Sequence, residues 1–242
     1  MVGFRFLPGG RILAGAGIDD HATLVNCFVA APPKPSAAEE LAHLADVCRT
    51  LEFGGGVGCD FSGLERGSGK PGVTEYLVLW DAAAGLAESS RFRRGALMGT
   101  CRCDHPDIDR FVAAKETPNA LTHFNLSVLL SDAFMAAVCA RTEYPLRSRP
   151  GGEVVARVDA QELFARIARS ACARGEPGVL FVDTINRENN LWYCEQITAT
   201  NPCGEVPLPP HGACVLGSVN LAALVRQPFL DQASFDFAQL QH

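Results

Sequence analysis

The sequence predicts an α/β protein. Segments of helical and strand periodicity alternate along the chain, helix starts are marked by capping residues, and 48% apolar with 20% charged residues over 242 positions is the profile of a globular fold large enough for one sizeable domain. The elements follow in order. Ser36 and Glu39 form a capping box, after which Leu41, Leu44, Val47 and Leu51 recur at helical spacing until Gly54-Gly55-Gly56 stops the helix. Thr74 to Ala87 is a second helical stretch, and Pro106 suits the first turn of a third that leads into Asp107 to Val112. Phe124, Leu126, Val128 and Leu130 alternate as in a strand, and Ser131 then caps a helix carrying Phe134, Met135 and Val138. Asp159 and Glu162 are another capping box, opening a helix through Leu163, Ile167 and Ala171 that ends at Gly175. Val179 to Val182 has the composition of a short buried strand. Ala31 to Pro35, Arg147 to Gly152 and Pro207 to Gly212 are rich in Pro and Gly and read as loops. The whole, residues 1–242, reads as one domain, incomplete at Phe235 to His242, where a new helical pattern begins.

Composition removes several classes of function. A formal charge of −6 without a long basic run gives no footprint for a nucleic-acid backbone, so no polymeric nucleic acid is expected as a partner. No run of about 18 apolar residues marks a membrane span. Met1 to Arg11 carries arginines and Pro8-Gly9-Gly10 instead of the apolar core and cleavage site of a signal peptide, so a cytoplasmic protein is expected. Ten cysteines in a reducing compartment point to metal ligation or redox chemistry ahead of a disulfide framework. Cys101 and Cys103, one residue apart, suit tetrahedral zinc poorly, and no metal site is expected. Cys48, Cys139 and Cys172 fall among alanines in helical patterns and read as small core residues.

The most informative stretch is Thr200 to Pro209. Asn201, Cys203 and Glu205 stand two residues apart, so in an extended backbone they share one side. Together they offer a hydrogen-bond donor, a sulfur and a general base; alone, the stretch reads equally well as a loop with a buried thiol. Gly54 to Gly58 lacks the Gly-Lys-Ser/Thr of a phosphate loop and does not fit the dinucleotide fingerprint. It reads as a helix stop with a close backbone approach. Arg91 to Arg94 is a small basic cluster, compatible with a solvated turn.

The cysteine contexts Asn26-Cys27-Phe28, Asn201-Pro202-Cys203-Gly204-Glu205 and Gly212-Ala213-Cys214, in that order, resemble the catalytic subunit of class II ribonucleotide reductases. Arg5 to Gly17, Gly54 to Ser62, Arg93 to Ala96, His105 to Ile108, Phe124 to Val128, Pro177 to Asn186 and Thr200 to Leu221 extend the resemblance along most of the chain. It implies about the first half of a ten-stranded α/β barrel that reduces ribonucleotides by a thiyl-radical mechanism, with adenosylcobalamin as cofactor. Cys203 would be the radical thiol, Glu205 would take the 3′-hydroxyl proton, Asn201 would hold the ribose hydroxyls, and Cys27 and Cys214 would be the reducing dithiol. Asn26, Gly54, Gly55, Gly56, Pro202 and Gly204 would border the substrate, while Arg93, Arg94 and Gly95 would belong to a loop joining an effector site to the substrate base, where arginine suits phosphates and base edges. The eleven-residue step from Cys203 to Cys214 and the Asn-Pro-Cys-Gly-Glu wording favour the cobalamin class over enzymes that draw their radical from a second subunit. Thioredoxin or glutaredoxin would return electrons, and a complementing chain would carry the rest of the barrel.

The resemblance weakens at two places. Glu65 to Thr74 is shorter than the corresponding loop, and Ser90-Arg91-Phe92 replaces the usual small residues. Both belong, in the family, to the effector-binding machinery. Family members are also much longer at both ends, so the sequence reads either as a fragment, as one half of a split enzyme, or as a non-catalytic remnant.

Overall fold

The computed structural model describes residues 2–18, 23–34, 36–64, 71–87 and 94–241. The chain divides into two compact units, one of residues 1–26 with 215–242, the other of Cys27–Cys214.

The first unit begins with strand β1 (Phe6–Pro8) and helix α1 (Gly10–Gly15). The second contains β2 (Cys27–Val29), α2 (Ala37–Glu52), β3 (Gly56–Asp60), α3 (Val73–Ala87), β4 (Leu97–Arg102), α4 (Ile108–Ala113), β5 (Phe124–Leu130), α5 (Asp132–Ala140), β6 (Glu143–Arg147), β7 (Val154–Asp159), α6 (Ala160–Arg174), β8 (Gly178–Phe181), α7 (Val182–Glu188), β9 (Ala199–Thr200), β10 (Pro207–Leu208) and β11 (Ala213–Cys214). The chain then returns to the first unit with β12 (Gly217–Val219), β13 (Val225–Arg226), β14 (Ser234–Phe235) and α8 (Phe237–Leu240).

The first unit is built on β1 paired antiparallel with β12, Phe6 opposite Val219, closed by the Gly9 amide donating to the Leu216 carbonyl at 2.7 Å. In it, β13 pairs with β14, and Arg226 donates to Asp236 at 2.6 Å, which lowers the Asp236 pKa below the usual carboxylate range.

The second unit is a six-stranded sheet in the order β11-β2-β3-β4-β5-β8. Strands β2, β3, β4, β5 and β8 run parallel, and β11 joins the β2 edge antiparallel. Crossover helices α2, α3 and α4 separate the first four parallel strands, as parallel pairing requires. Trp80 and Phe124 pack edge-on against Phe61, with centroids at 5.1 and 5.9 Å, at the centre of an apolar cluster that includes Leu51, Leu77, Leu97 and Phe111. Each such side chain stabilises the fold by about 1.5–3 kcal/mol through removal from water.

The capping residues act as the sequence predicts. The Ser36, Ser131 and Asp159 side chains accept from the amides of Glu39, Phe134 and Glu162, each worth about 1 kcal/mol. Gly175 ends α6 with φ of 80°, in the left-handed region that favours glycine.

Four expectations are corrected. Leu41 is 61% exposed. The buried face of α2 keeps Leu44, Val47 and Leu51 but starts at Glu40. Glu40 is tolerated inside because it accepts from the Trp80 indole N–H at 2.7 Å and the Lys34 amide at 2.6 Å. Cys139 and Cys172 lie on exposed faces of α5 and α6, so their alanine surroundings mark helix propensity and not a core; Cys48 is half-buried. The strand expected to be buried, β8, is an edge: Val179 is 40% and Phe181 46% exposed, because among the described strands only β5 pairs with it. Finally, Pro207 and Leu208 of an expected loop form β10. Among the described residues no helix is long and apolar enough to cross a membrane.

Candidate active site

One face of the six-stranded sheet packs into the core, and the site lies on the other. Phe124, Leu126, Val128 and Leu130 of β5 belong to the apolar cluster, so the alternation of a strand turns Asn125, Ser127 and Leu129 the opposite way. The same alternation places Gly56, Gly58 and Asp60 of β3, and Met98 and Thr100 of β4, on the site face.

Across that face lies the β9–β10 hairpin, with Thr200 opposite Pro207. It sits so close that a Cβ on Gly58 would stand 1.7 Å from the Thr200 carbonyl oxygen, and one on Gly56 would stand 2.7 Å from Pro202 Cγ. The stem is held where the Thr100 hydroxyl donates to the Thr198 carbonyl at 2.7 Å. The tip is held where Asn125 Nδ2 donates to the Pro202 carbonyl, also at 2.7 Å. Gly56 and Gly58 thus provide the close backbone approach that the sequence left as one of two readings. Gly54, at φ of 82°, ends α2, and the space a Gly55 side chain would need is taken by Phe28 and Thr50.

The loop from Asn201 to Val206 turns instead of extending, so its three chemical side chains do not share one environment. Asn201 is fully buried, whereas Cys203 and Glu205 are exposed. Asn201 closes the loop: its Oδ1 accepts from the Val206 amide at 3.0 Å, and its carbonyl accepts from the Gly204 amide at 3.0 Å. Gly204, at φ of 83°, makes the reversal that a side chain would oppose. The Asn201 amide group also donates to Cys27 Sγ at 3.4 Å, tying loop and sheet together.

Cys27 opens β2, and Cys214 lies directly opposite it on antiparallel β11. Directly opposed residues on antiparallel strands have Cα atoms about 4.5–5.5 Å apart, within the range a disulfide spans. Both are free thiols. Burial, then the charge of Cys27 and a hydrogen bond with it, and then the charge of Glu205 push the Cys214 pKa up to about 11. Cys203, at the loop tip, borders an open cleft of about 400 Å³ with Met98, Asn125, Val179 and Leu180. The arrangement can therefore do two things: exchange two electrons at one thiol pair, and present a third thiol to an approaching reactant.

The other expected residues are distributed as follows. Pro202 is buried under Gly56. Asn26 immediately precedes β2, and its buried Oδ1 has no hydrogen-bond partner among the described residues. Arg94 is exposed and Gly95 buried just before β4, while Arg93 lies outside the described residues. Thr100 and Asn125 were not singled out from the sequence; the signal was the polar residue between core positions of a strand. A second cavity, of about 590 Å³, borders Asp60, Ser62, Arg102, Asp104 and Tyr144. Burial raises the Asp60 pKa there, against hydrogen bonds from Ser62 and Thr198 that lower it. The thiols of Cys59 and Cys101, on the core face, are pushed well up by burial and then by the Asp60 charge.

The chain is an α/β half-barrel that sets two cysteines distant in sequence in direct register, with a third on the neighbouring hairpin. The profile of the ribonucleotide reductase barrel domain matches residues 25–242. The chain is 42% identical over 236 residues to a vitamin B12-dependent ribonucleoside-diphosphate reductase of Mycobacterium tuberculosis, covering 94% of this chain and 34% of that protein. It is 32% identical over 250 residues to the protein of the same name from Thermoplasma acidophilum, covering all of this chain and 32% of the relative. The chain belongs to the ribonucleotide reductase barrel-domain family. It spans about a third of the length of these relatives.

Proposed function

We propose that this chain supplies the thiol chemistry of an adenosylcobalamin-dependent ribonucleotide reductase, acting on ribonucleoside diphosphates with the remainder of a barrel carried on the same or a second polypeptide. The observation that carries the reading is the direct register of Cys27 with Cys214, tied through Asn201 to the hairpin of Cys203. Cys203, as a thiyl radical, takes the 3′ hydrogen atom of the ribose. Glu205 accepts the 3′-hydroxyl proton, and Asn201, buried beneath the loop, holds Cys203 and Glu205 in place against Cys27. The 2′ hydroxyl leaves as water while Cys27 and Cys214 supply two electrons and two protons, ending as a disulfide; Cys203 then recovers its radical by returning a hydrogen atom to C3′. A pKa of about 11 keeps Cys214 a thiol at neutral pH, so its proton is available for that step. A thioredoxin- or glutaredoxin-type donor reduces the disulfide, and a cytoplasmic setting keeps the remaining cysteines as thiols.

Cys203 and its neighbours are the residues present that would receive the chemistry of the cofactor. Cys203 is exposed at the mouth of an open cleft, and Met98, Asn125, Val179 and Leu180 would border the group there. When bound, adenosylcobalamin supplies a carbon-centred radical by homolysis of its cobalt–carbon bond. Gly54 to Gly56, Pro202 and Gly204 would shape the substrate side of the thiols, and Arg93 to Gly95 would connect an effector site with the base.

The test is turnover. Together with the remaining barrel and adenosylcobalamin, the chain reduces ribonucleoside diphosphates, and Cys203→Ala abolishes the product while leaving the fold intact. Undiminished turnover in Cys203→Ala would overturn the reading.

A further inference from the structure

Among the described residues the thiol hairpin touches the sheet through few polar contacts, and the one nearest the chemistry comes from Asn125. Asn125 faces away from the core on β5 and borders the cleft with Cys203. Its Nδ2 donates at 2.7 Å to the Pro202 carbonyl, the peptide group that enters Cys203. On the far side of the loop, Asn201 makes the closing bonds, and Gly204 supplies a left-handed turn that has no stiffness of its own. Pro202 packs on Gly56, which fixes its ring, and the Gly204 amide closes the turn on the Asn201 carbonyl; the Pro202–Cys203 peptide is the central peptide of that turn, and the closing bond does not by itself set which way its carbonyl points. The Asn125 amide is thus the described side-chain contact that fixes the orientation of the Pro202–Cys203 peptide relative to the sheet.

We infer that Asn125 is a positioning residue for Cys203: its amide sets the direction in which the thiol enters the cleft. The inference rests on the reductase reading for its catalytic meaning, because an atom-transfer step falls off steeply when the reacting atoms shift by about 1 Å. The geometric part stands without it.

The experiment compares the wild-type chain with Asn125→Asp and Asn125→Ala. Asp is isosteric with Asn but, when ionised, has no N–H to donate; Ala removes the group altogether. Because Asn125 lies on the cleft and outside the core cluster, both variants should keep the far-ultraviolet circular dichroism of the wild type. Hydrogen exchange resolved by residue is the readout. Loosening the loop should speed exchange of the Gly204 and Val206 amides, both bonded to Asn201, by about five- to tenfold in both variants, with the amides of Leu126 and Val128 unchanged. A merely structural role would speed exchange along β5 as well, and that outcome, or no change in the loop, overturns the proposal. In the assembled enzyme the same variants should lower kcat with KM unchanged. If the loop loosens while even the wild-type assembly reduces no nucleotide, the reductase reading fails and the positioning contact stands.

Discussion

The chemistry of single thiols separates the ten cysteines into groups that the sequence shows only in part. Asn-Pro-Cys-Gly-Glu singled out Cys203, but nothing local shows that Cys214 meets Cys27, because their proximity comes from strand register. This register makes a prediction for Cys214. With its pKa pushed up to about 11, the thiolate is scarce at neutral pH, so alkylation by iodoacetamide should stay slow there and climb as the pH rises toward that value. Cys27→Ser removes the second-largest cause, and the profile should move to lower pH; an unmoved profile would mean that Cys27 does not govern Cys214. The inert thiols have a different signature. Cys59 and Cys101 have raised pKa values in the folded state, so their contribution to stability is complete below the ordinary thiol pKa of the unfolded chain. It is lost as the pH rises from there toward the folded values. The urea midpoint should therefore fall across the alkaline range, and less so in Cys59→Ala once its own cavity cost is subtracted.

Elements with caps were legible. Ser36, Ser131 and Asp159 each announce a helix by a side chain that can reach an amide three residues on, and all three do so. Burial was less legible, because it depends on what packs outside the element. Leu41 and Glu40 both lie near the apolar stripe of α2, and the indole of Trp80 from α3, with the Lys34 amide, decides that the carboxylate goes inside. Glu40→Ala should accordingly cost about 1–3 kcal/mol by leaving the Trp80 N–H and the Lys34 amide without acceptors, measured by urea unfolding followed through Trp fluorescence. A cost near zero would mean that water replaces the carboxylate. The β6–β7 hairpin is not legible in the sequence because Pro145 interrupts its alternation. The glycines of β3 gave the clearest ambiguity, and the resolution is steric: Gly58→Ala puts a methyl where the Thr200 oxygen lies. It should destabilise the chain by about 1–3 kcal/mol or more and lift the hairpin, seen as faster exchange at Thr200 and Asn201.

On the scale of the whole molecule, the fold class followed from alternation alone, whereas the family needed ordered motifs spread over the chain. The parallel order β2-β3-β4-β5-β8 is the half-barrel that the resemblance implied. Its last described strand leaves apolar side chains exposed, the condition of a sheet edge that a longer protein continues or covers. The hairpin's seat on the site face could not be read from sequence, since Asn125, Thr100 and Gly58 reach it from three different strands. The central claim is that one thiol pair is poised to give two electrons while Cys203 stands apart. Disulfide mapping by mass spectrometry, after mild oxidation of the folded chain, tests it most directly. A dominant Cys27–Cys214 bridge with Cys203 free is the predicted result; Cys203 joined to either partner, or pairing without preference, would contradict it.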